Sequence, residues 1–382
     1  MFPKLRFKEF DDDWSPYVLK DFVSFRKGKG ISKADISENG INECIRYGEL
    51  YTTYGQVIDH IHSKTNVSKS ECILSKAGDV IIPASGETQI DIATASCVLH
   101  DDIILSGDLN ILSHEENGSW LAYYLSSAKK LEIAQLAQGN SVVHLYSSQL
   151  KDLKINKPSK EEQTKIASFL SNVDEKISQL TKKHELLSQY KQGMMQKLFS
   201  QQIRFKADDG SEFGEWEETE LGKHCQIKTG KLDANAMRPN GEFRFYTCAK
   251  EFYLIDEYAF DTEALLISGN GANVGYIHYY KGKFNAYQRT YVLDQWQQNI
   301  IFIQYFLEQF LKERIYGEKK EGNTPYIVLS TLSEMPLLLP CLEEQTKIAN
   351  FLSSIDQKIE VVAQQIEQAK QWKKGLLQNM FI

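Results

Sequence analysis

The 382-residue sequence has no run of about 18 consecutive apolar residues, the length at which a helix could cross a bilayer. Its first residues, MFPKLRFKEFDDDW, lack the apolar core of a secretory signal peptide. Apolar residues make up 42% of the chain and charged residues 25%, which is typical of a globular protein. We therefore expect no membrane association and a cytoplasmic location.

The sequence also lacks the residue spacings of disulfide-rich and metal-binding proteins. The six cysteines, at positions 44, 72, 97, 225, 248 and 341, form no CxxC pair, and a disulfide framework is unusual in a chain of this length without signs of export. His60 and His62 would share one face of a strand, but no third type of ligand lies nearby. We predict reduced, mostly buried cysteines and no metal site.

The chain also has fewer basic than acidic side chains. The formal net charge of −7 at pH 7 has the wrong sign for a free-standing nucleic-acid binder. Any contact with DNA would depend on local basic patches or on a basic partner protein.

The sequence does contain a long internal repeat. Residues 161–199 align on residues 343–381 without a gap, with 19 identities in 39 positions and no proline in either copy. Apolar residues recur at 4-3-4-3 spacing, the heptad pattern of a coiled coil. The pattern predicts two helices, each on the order of 58 Å long, that pair with one another. The predicted helix-pair interface consists of Ile166, Leu170, Val173, Ile177, Leu180, Leu187, Met194, Ile348, Leu352, Ile355, Ile359, Val362, Ile366 and Leu376.

The repeat extends beyond the helices. Similar segments precede both copies (QGNSVVHLYSSQLKDLKINKPSKEEQ and EGNTPYIVLSTLSEMPLLLPCLEEQ), and both halves open on Arg-Phe-Lys, an acidic run, a Trp and a basic Gly turn. Ser159 and Glu162 have the S-x-x-E form of a capping box, which the second copy lacks. These features predict a globule at 1–158, a helix at 159–203, a second globule at 204–341 and a second helix at 342–382. Two such units would form a pseudo-two-fold object, better suited to two separated half-sites than to one active site.

With these features the sequence resembles the specificity (S) subunit of type I restriction–modification enzymes. The resemblance spans essentially the whole chain and rests on the globule–helix order, on the helix starts EEQTKIASFLSNVDEKI and EEQTKIANFLSSIDQKI, and on the GNS…LS and GNT…LS segments before them. It implies that each globule is a target recognition domain reading one half of a split double-stranded DNA sequence. The paired helices would dock two modification (M) subunits, which bring S-adenosylmethionine and methylate adenine. Restriction (R) subunits would add an ATP- and Mg²⁺-dependent translocating nuclease.

The resemblance also implies a fold and a geometric role for the helices. The expected fold class is α+β, with two mixed recognition domains separated by two long antiparallel helices; within the domains, the sequence pattern itself predicts helices such as 119–134 and 299–316. Half-sites read from one face of B-DNA lie about 34 Å apart, a distance that a stiff helix pair spans without flexing.

The chain itself is not expected to be an enzyme or to bind a cofactor. It has neither the Asn/Asp-Pro-Pro-Tyr/Phe motif of adenine methylation nor a G-x-x-x-x-G-K-[ST] phosphate loop. The glycine-rich GNGANVG at 269–275 precedes the strand-like YIHYY, so no helix N-terminus is available to bind a phosphate. Two alternatives stay open: a specificity subunit of a methylation-only system, and a coiled-coil scaffold protein that does not bind DNA.

Candidate DNA contacts are side chains in polar or glycine-rich turns at similar places in both halves. Arginine, lysine, asparagine and glutamine read base edges, while hydroxyls and cations contact phosphates. In the first half these are Arg26, Lys27, Lys29, Ser85, Thr88, Gln89, Gln138, Asn140 and Ser141. In the second half they are Lys228, Lys231, Asn270, Asn273, Gln288, Arg289, Lys319, Lys320, Asn323 and Thr324.

Overall fold

The structure is a computed structural model and describes residues 3–139, 142–317 and 326–381. The chain forms two compact units, called unit 1 (Met1–Thr181 with Gln364–Ile382) and unit 2 (Lys182–Ala363). Each unit therefore contains the first part of one long helix and the last part of the other. Within the described ranges, no helix combines the length and the hydropathy that crossing a bilayer requires.

Unit 1 is a mixture of short strands and short helices. Its strands are β1 (Ser15–Val18), β2 (Ser24–Lys27), β3 (Asn42–Ile45), β4 (Val57–Ile58), β5 (Ser63–Thr65), β6 (Ile73–Leu74), β7 (Val80–Pro83), β8 (Ser85–Gly86), β9 (Ser96–Val98), β10 (Ile104–Leu105), β11 (Leu109–Ser113), β12 (Val143–His144) and β13 (Lys154–Lys157). Its helices are α1 (Glu49–Thr52), α2 (Gln89–Ile92), α3 (Gly118–Ser127), α4 (Lys130–Leu136), α5 (Ser147–Leu150) and the first part of α6 (Lys160–Phe199).

The central sheet of unit 1 has the strand order β2-β11-β7-β9-β4 and is buried on both faces. Alternation along β7 explains this burial: Val80 and Ile82 pack with α3 and the start of α6, while Ile81 packs toward a second, four-stranded sheet of order β5-β3-β10-β6. The ribbons β1–β13 and β8–β12 complete the unit.

The sequence predicts a single continuous helix over 119–134, and this prediction is wrong. The structure has two helices there, α3 and α4, separated at residues 128–129. The Ser127 hydroxyl donates to the carbonyl oxygen of Tyr123, and the amide of Lys129 bonds five residues back to Tyr124. The bond from Lys129 departs from the regular i to i−4 ladder, so α3 ends here.

Unit 2 is built around one larger sheet. Its strands are β14 (Glu217–Glu220), β15 (Gln226–Thr229), β16 (Phe243–Tyr246), β17 (Tyr253–Ile255), β18 (Phe260–Ser268), β19 (Ile277–Ala286), β20 (Thr290–Asp294) and β21 (Pro336–Leu339). Its helices are α7 (Ile300–Gly317), α8 (Leu329–Ser333) and the first part of α9 (Leu342–Met380). The six-stranded sheet has the order β15-β20-β18-β19-β16-β17, and β14 pairs with β21.

The two faces of the six-stranded sheet have different surroundings. Leu265 and Ile267 of β18 pack against Phe302 of α7 in the main core of the unit. Leu266, on the opposite face, belongs to a smaller cluster with Tyr246 and other sheet residues. This second face, which carries the smaller cluster, is called the outer face below.

The long helices bury the heptad stripe, although part of that stripe contacts the globules as well. The start of α6 and the end of α9 lie in one core of unit 1 with Trp14 and Trp120, and the start of α9 lies with the end of α6 in the core of unit 2. Starts pack with ends, so the helices run antiparallel, and the predicted α+β fold is confirmed. Of the predicted interface, Ile166, Leu170, Val173, Leu180, Ile348, Leu352, Ile355, Val362, Ile366 and Leu376 are buried, while Ile177, Leu187, Met194 and Ile359 are half-buried.

Candidate nucleic-acid interface

The repeated Arg-Phe-Lys segments anchor each globule to the start of a long helix. Arg6 donates from Nε and Nη2 to the two carboxylate oxygens of Glu162, both at 2.7 Å. Arg204 makes the same bidentate contact with Glu344 at 3.0 and 2.7 Å. Since the Glu162 carboxylate is used in this way, the Ser159 cap consists of one bond, from the Glu162 amide to the Ser159 hydroxyl at 3.3 Å.

The residue after each of these glutamates differs in its surroundings between the units. Gln163 donates to Glu116 at 2.8 Å, and Lys157 lies 2.5 Å from the same carboxylate. Gln345 instead donates to the neutral side chain of Gln298 at 2.7 Å. Burial would raise the pKa of Glu116, but the hydrogen bonds from Lys157 and Gln163 outweigh it and hold that pKa below its ordinary value. Unit 1 therefore has an ionised carboxylate where unit 2 has an amide.

A Tyr–Asp–Lys cluster joins α3, α6 and α9 in unit 1 and is called clamp 1. Tyr123 donates to one carboxylate oxygen of Asp174 at 2.6 Å, and Lys373 lies 2.6 Å from the other. The Lys373 ammonium also donates to Gln56 at 2.9 Å and lies 5.5 Å from the centre of the Tyr123 ring. Lys373 occupies a heptad-stripe position, so the clamp replaces an apolar contact by a charged one.

The same cluster recurs in unit 2 as clamp 2. Tyr305 donates to Asp356 at 2.6 Å, and Lys191 lies 2.8 Å from that carboxylate and 4.8 Å from the Tyr305 ring centre. Burial, together with the adjacent aspartate, raises the pKa of both Tyr123 and Tyr305. Each clamp thus pairs an aspartate from the start of one long helix with a lysine from near the end of the other.

The basic glycine turns after β2 and β15 each pass close to a neighbouring backbone segment. A Cβ atom added at Gly28 or at Gly230 would lie 1.8 Å from a backbone carbonyl oxygen, so only glycine fits either turn. The turns present Lys27, Lys29 and Lys231 as exposed side chains. These three lysines are placed where they could meet a phosphate.

Two other predicted cations are engaged within the protein. Arg26 forms an ion pair with the buried Asp79 at 2.5 Å and donates to Ser113 at 3.2 Å. Lys228 lies 3.9 Å from the buried Asp294, and its side chain is half exposed. The sequence could not reveal these internal partners.

The β8–β12 ribbon brings two of the predicted segments together. The Ser85 hydroxyl lies 3.1 Å from His144 Nδ1, and Gln138 exchanges two backbone hydrogen bonds with His144 at 2.9 and 2.7 Å. Tyr146 stacks on the His144 ring and is 55% exposed. His144 and Tyr146 are not among the predicted contacts, although both lie in the segment that precedes the first long helix.

The remaining predicted contacts lie at the start of α2 or outside the residues that the structure describes. Thr88 caps α2 by accepting from the Asp91 amide at 3.1 Å, and Gln89 is exposed at its first position. The predictions for Asn140, Ser141, Lys319, Lys320, Asn323 and Thr324 lie outside the described residues.

Two predicted segments of unit 2 meet at one end of its sheet. The amide of the glycine before Asn270 donates to the carbonyl oxygen of Arg289 at 2.8 Å, and Asn273 donates to the carbonyl oxygen of Cys248 at 3.0 Å. Gln288 and Arg289 are exposed, while Asn270 and Asn273 are half-buried. The glycine-rich loop leads into β19 and not into a helix, as the sequence predicts.

Arg244, which is not among the residues predicted from the sequence, lies in the alternating run FRFY of β16. Its guanidinium carbon is 4.3 Å from the ring centre of Phe252 and 4.5 Å from that of Tyr280. Such a run reads as an ordinary strand, so no local signal marks the arginine. As for metals, the described ranges contain no group of three or more His, Cys, Asp or Glu side chains arranged to hold an ion.

Comparison with known proteins assigns both halves to one family. The family model described as "Type I restriction modification DNA specificity domain" matches residues 11–188 and again residues 214–371. The EcoDI specificity subunit of Escherichia coli is 38% identical over 165 residues, which is 43% of this chain and 36% of that protein. The MjaVIII specificity subunit of Methanocaldococcus jannaschii is 25% identical over 96% of this chain and 91% of its own length.

Solved structures with the same fold support this comparison. The crystal structure of the type-I restriction-modification system S subunit from M. genitalium superposes with a TM-score of 0.70 at 19% identity, over 100% of this chain and 99% of that one. A chain from a study of complex assembly and conformational transition of the type I R-M system gives a TM-score of 0.57 at 16% identity, over 97% of this chain and 98% of that one.

Proposed function

The chain belongs to the type I restriction–modification DNA specificity family, and we propose that it reads a split DNA target, one half-site with each recognition domain, while its paired helices dock two M subunits. S-adenosylmethionine belongs to the M subunits in this proposal, and ATP with Mg²⁺ to the R subunits. The chain contributes recognition and assembly to a complex whose other subunits carry out the chemistry.

The observation that carries the proposal is the matched build of the two units. Each unit joins a mixed domain to the start of one long helix and the end of the other through an Arg–Glu anchor and a Tyr–Asp–Lys clamp. The anchoring residues are repeated, whereas the sheets of the two domains have different strand orders. A repeated frame with two different domains is what reading two different half-sites requires, since base readout depends on local side chains.

Exposed aromatic residues on the helices are the proposed contacts with the M subunits. Trp372 of α9 is 54% exposed and meets Phe169 of α6 edge-on at 5.9 Å between ring centres. The matched position in α6 holds Tyr190, which is 51% exposed. Large exposed aromatic side chains are typical hot spots of protein interfaces. One such face in each unit supports the proposal of two M subunits per chain.

The docking proposal is tested by the stoichiometry of the purified complex. We expect Trp372→Ala and Tyr190→Ala each to reduce the M content from two to one per chain, and the double variant to abolish association, as measured by native mass spectrometry. Leu131→Ala is the matched control, since this residue is 68% exposed and belongs to α4 rather than to either long helix. Retention of two M subunits by both single variants would contradict the assignment of these faces.

Several basic side chains of the chain are paired internally, which suggests that the M subunits contribute to DNA binding. Arg6, Arg26, Arg46 and Arg204 are each held by a carboxylate of the same chain at 2.5 to 2.9 Å. With a net charge of −7, the isolated chain offers little phosphate neutralisation. We therefore propose that the M subunits supply much of it. Nanomolar, sequence-specific binding by the isolated chain would refute this part of the proposal.

The main test is co-expression with the cognate M subunit, followed by methylation-sensitive long-read sequencing of the host DNA. We expect modified adenines in a split motif with a gap of fixed length. Exchange of residues 204–341 for the corresponding domain of a relative should change one half of the motif and leave the other half and the gap unchanged. Association without any split motif would contradict the reading role, and no association would favour a scaffold that does not bind DNA.

A further inference from the structure

We propose that Arg244 reads a guanine in the half-site recognised by unit 2. This inference rests on the proposed function and adds a base-reading residue that the sequence pattern does not reveal. It follows from the position of Arg244 on the sheet, from the partners its guanidinium has, and from the partners it lacks.

Arg244 lies on the outer face of the six-stranded sheet. In β16 it is two residues before Tyr246, which belongs to the outer cluster with Phe284, and side chains two positions apart in a strand share a face. In the register of the sheet Arg244 stands opposite Phe284 of β19. It is half-buried, so one side of the guanidinium remains accessible. This is the face turned away from α7.

Two aromatic rings hold the guanidinium. Phe252 and Tyr280 lie 4.3 and 4.5 Å from its central carbon, and Nη1 donates to the Tyr246 hydroxyl at 3.4 Å. Stacking on aromatic faces fixes the plane of a guanidinium while leaving the N–H groups at its edge available. Tyr246 is buried, and its pKa is raised by that burial, so its hydroxyl stays protonated and cannot neutralise the arginine.

Arg244 differs from the arginines that stabilise the fold. Arg6, Arg46 and Arg204 each make a close ion pair with a carboxylate of the chain. Across the described ranges, no carboxylate oxygen lies within 4 Å of the Arg244 guanidinium. A half-buried cation without a counter-charge is costly to retain for packing alone, whereas a ligand with acceptor groups would complete its hydrogen bonds.

The surroundings fit a DNA base better than a small anion. The carbonyl oxygen of Tyr246 accepts from the amide of Tyr287 at 2.9 Å, so the strand of Arg244 leads directly to the turn with the exposed Gln288 and Arg289. A planar, pre-oriented arginine fork matches the O6 and N7 acceptors of guanine, and this pairing is the commonest specific contact in the major groove. A contact with a phosphate would carry no preference for the base at any position, so a base preference distinguishes the two ligands.

The experiment measures the base preference at every position of the split motif. The wild-type chain and the variants Arg244→Lys and Arg244→Ala are co-expressed with the M subunit, and the methylated fraction of each single-base variant of the motif is determined by long-read sequencing. Arg238→Ala is the control, because Arg238 lies in the same domain with an exposed side chain 3.9 Å from Asp256. Arg244→Lys keeps the charge and removes the fork, so it also serves where the alanine variant fails to fold.

In Arg244→Lys, we expect the preference for guanine over the other bases to fall by about 5- to 150-fold at one position of a single half-site. This is the range for one bidentate base contact. The other half-site, the gap and the Arg238→Ala motif should stay unchanged. Unchanged preferences at all positions, or a uniform loss of methylation at both half-sites, would overturn the inference. A wild-type chain that associates with M without methylating a split motif would overturn the proposed function itself, and the inference with it.

Discussion

Clamp 1 gives a prediction whose magnitude follows from its geometry. Replacing Lys373 by alanine removes the ion pair with Asp174 at 2.6 Å and the hydrogen bond to Gln56 at 2.9 Å. It leaves Asp174 bonded to the hydroxyl of Tyr123 at 2.6 Å. The Lys373 side chain is 18% exposed and that of Asp174 is 34% exposed, so the pair lies between the buried and the surface class.

The cost should accordingly lie between the values for those two classes. Removing one partner of a fully buried pair costs about 3–5 kcal/mol, and a surface pair contributes about 0–1 kcal/mol. Asp174 is partly exposed to water and keeps its hydrogen bond from Tyr123. We therefore expect Lys373→Ala to lower the free energy of unfolding by about 2 kcal/mol. Lys370 provides the matched control: it lies on the same helix, its side chain is 55% exposed, and its partner Glu367 is 69% exposed at 3.1 Å. Lys370→Ala should cost less than about 0.5 kcal/mol.

The assay is urea unfolding of the purified chain, with the signal taken from amide hydrogen exchange of unit 1 peptides so that the clamp and its own unit are measured. A double-mutant cycle with Asp174→Asn should give a coupling energy of about 1–2 kcal/mol, because the two side chains interact directly. Equal costs for Lys373→Ala and Lys370→Ala, or a coupling energy near zero, would show that the clamp is a surface ion pair and refute the reasoning.

Three further predictions concern single side chains. Gly375→Ala should raise the free energy of unfolding by about 0.5–1 kcal/mol in urea titrations, since the added Cβ would meet nothing within 4 Å and alanine favours the helix; a lower free energy of unfolding would contradict this. Glu116→Gln should destabilise at pH 7, and this cost should shrink as the pH is lowered below about 4.5, because a carboxyl with a lowered pKa contributes its full stability above its ordinary pKa near 4.5 and loses it as the pH falls through the lowered pKa; a cost independent of pH would argue against the ion pair with Lys157. Iodoacetamide at pH 8 should label the exposed Cys341 and spare Cys97, whose pKa burial raises to about 11, and mass spectrometry of both peptides decides this.

Sequence periodicity was sufficient to predict the helix pair, because a heptad stripe is a local and repeated signal. The stripe showed only that each helix needs a partner, whereas the antiparallel arrangement was expected from the repeat of the two units and from the family resemblance. The charged residues within the stripe were visible as Lys191 and Lys373, but their partners were not. Asp174 and Asp356 lie 199 and 165 positions away along the chain, and only the packing of the two helices brings them within hydrogen-bonding distance.

The candidate interface was harder to predict, because an exposed basic residue and one with an internal partner look alike in a sequence. Arg26 and Lys27 are neighbours in one turn motif, yet Arg26 pairs with the buried Asp79 at 2.5 Å, while the Lys27 side chain is 70% exposed and lies 3.9 Å from the half-exposed Asp108. The glycines were more informative: the matched positions of Gly28 and Gly230 reflect a close backbone approach that no other residue allows. Their recurrence marks a shared framework, whereas the side chains that read bases depend on tertiary contacts that differ between the domains.

Because the end of α9 packs in the core of unit 1, we can predict how the first half of the chain behaves alone. The core of unit 1 includes Leu376, Met380 and Phe381 from the end of α9, so residues 1–203 alone lack part of that core. The same segment carries Leu198 and Phe199 at the positions equivalent to Met380 and Phe381.

A second copy of residues 1–203 could therefore supply the missing side chains, because antiparallel pairing presents the end of one α6 to the start of the other. We expect this fragment to be a dimer by light scattering, and a fragment ending at residue 181, which lacks the helix end, to be unable to dimerise in this way. Removing Phe199 by substitution with alanine should weaken the dimer without changing the composition of the domain. A folded monomer of residues 1–203 would show that the end of the second helix is dispensable, and that each half is a self-sufficient domain whose helix pairing serves the partner subunits alone.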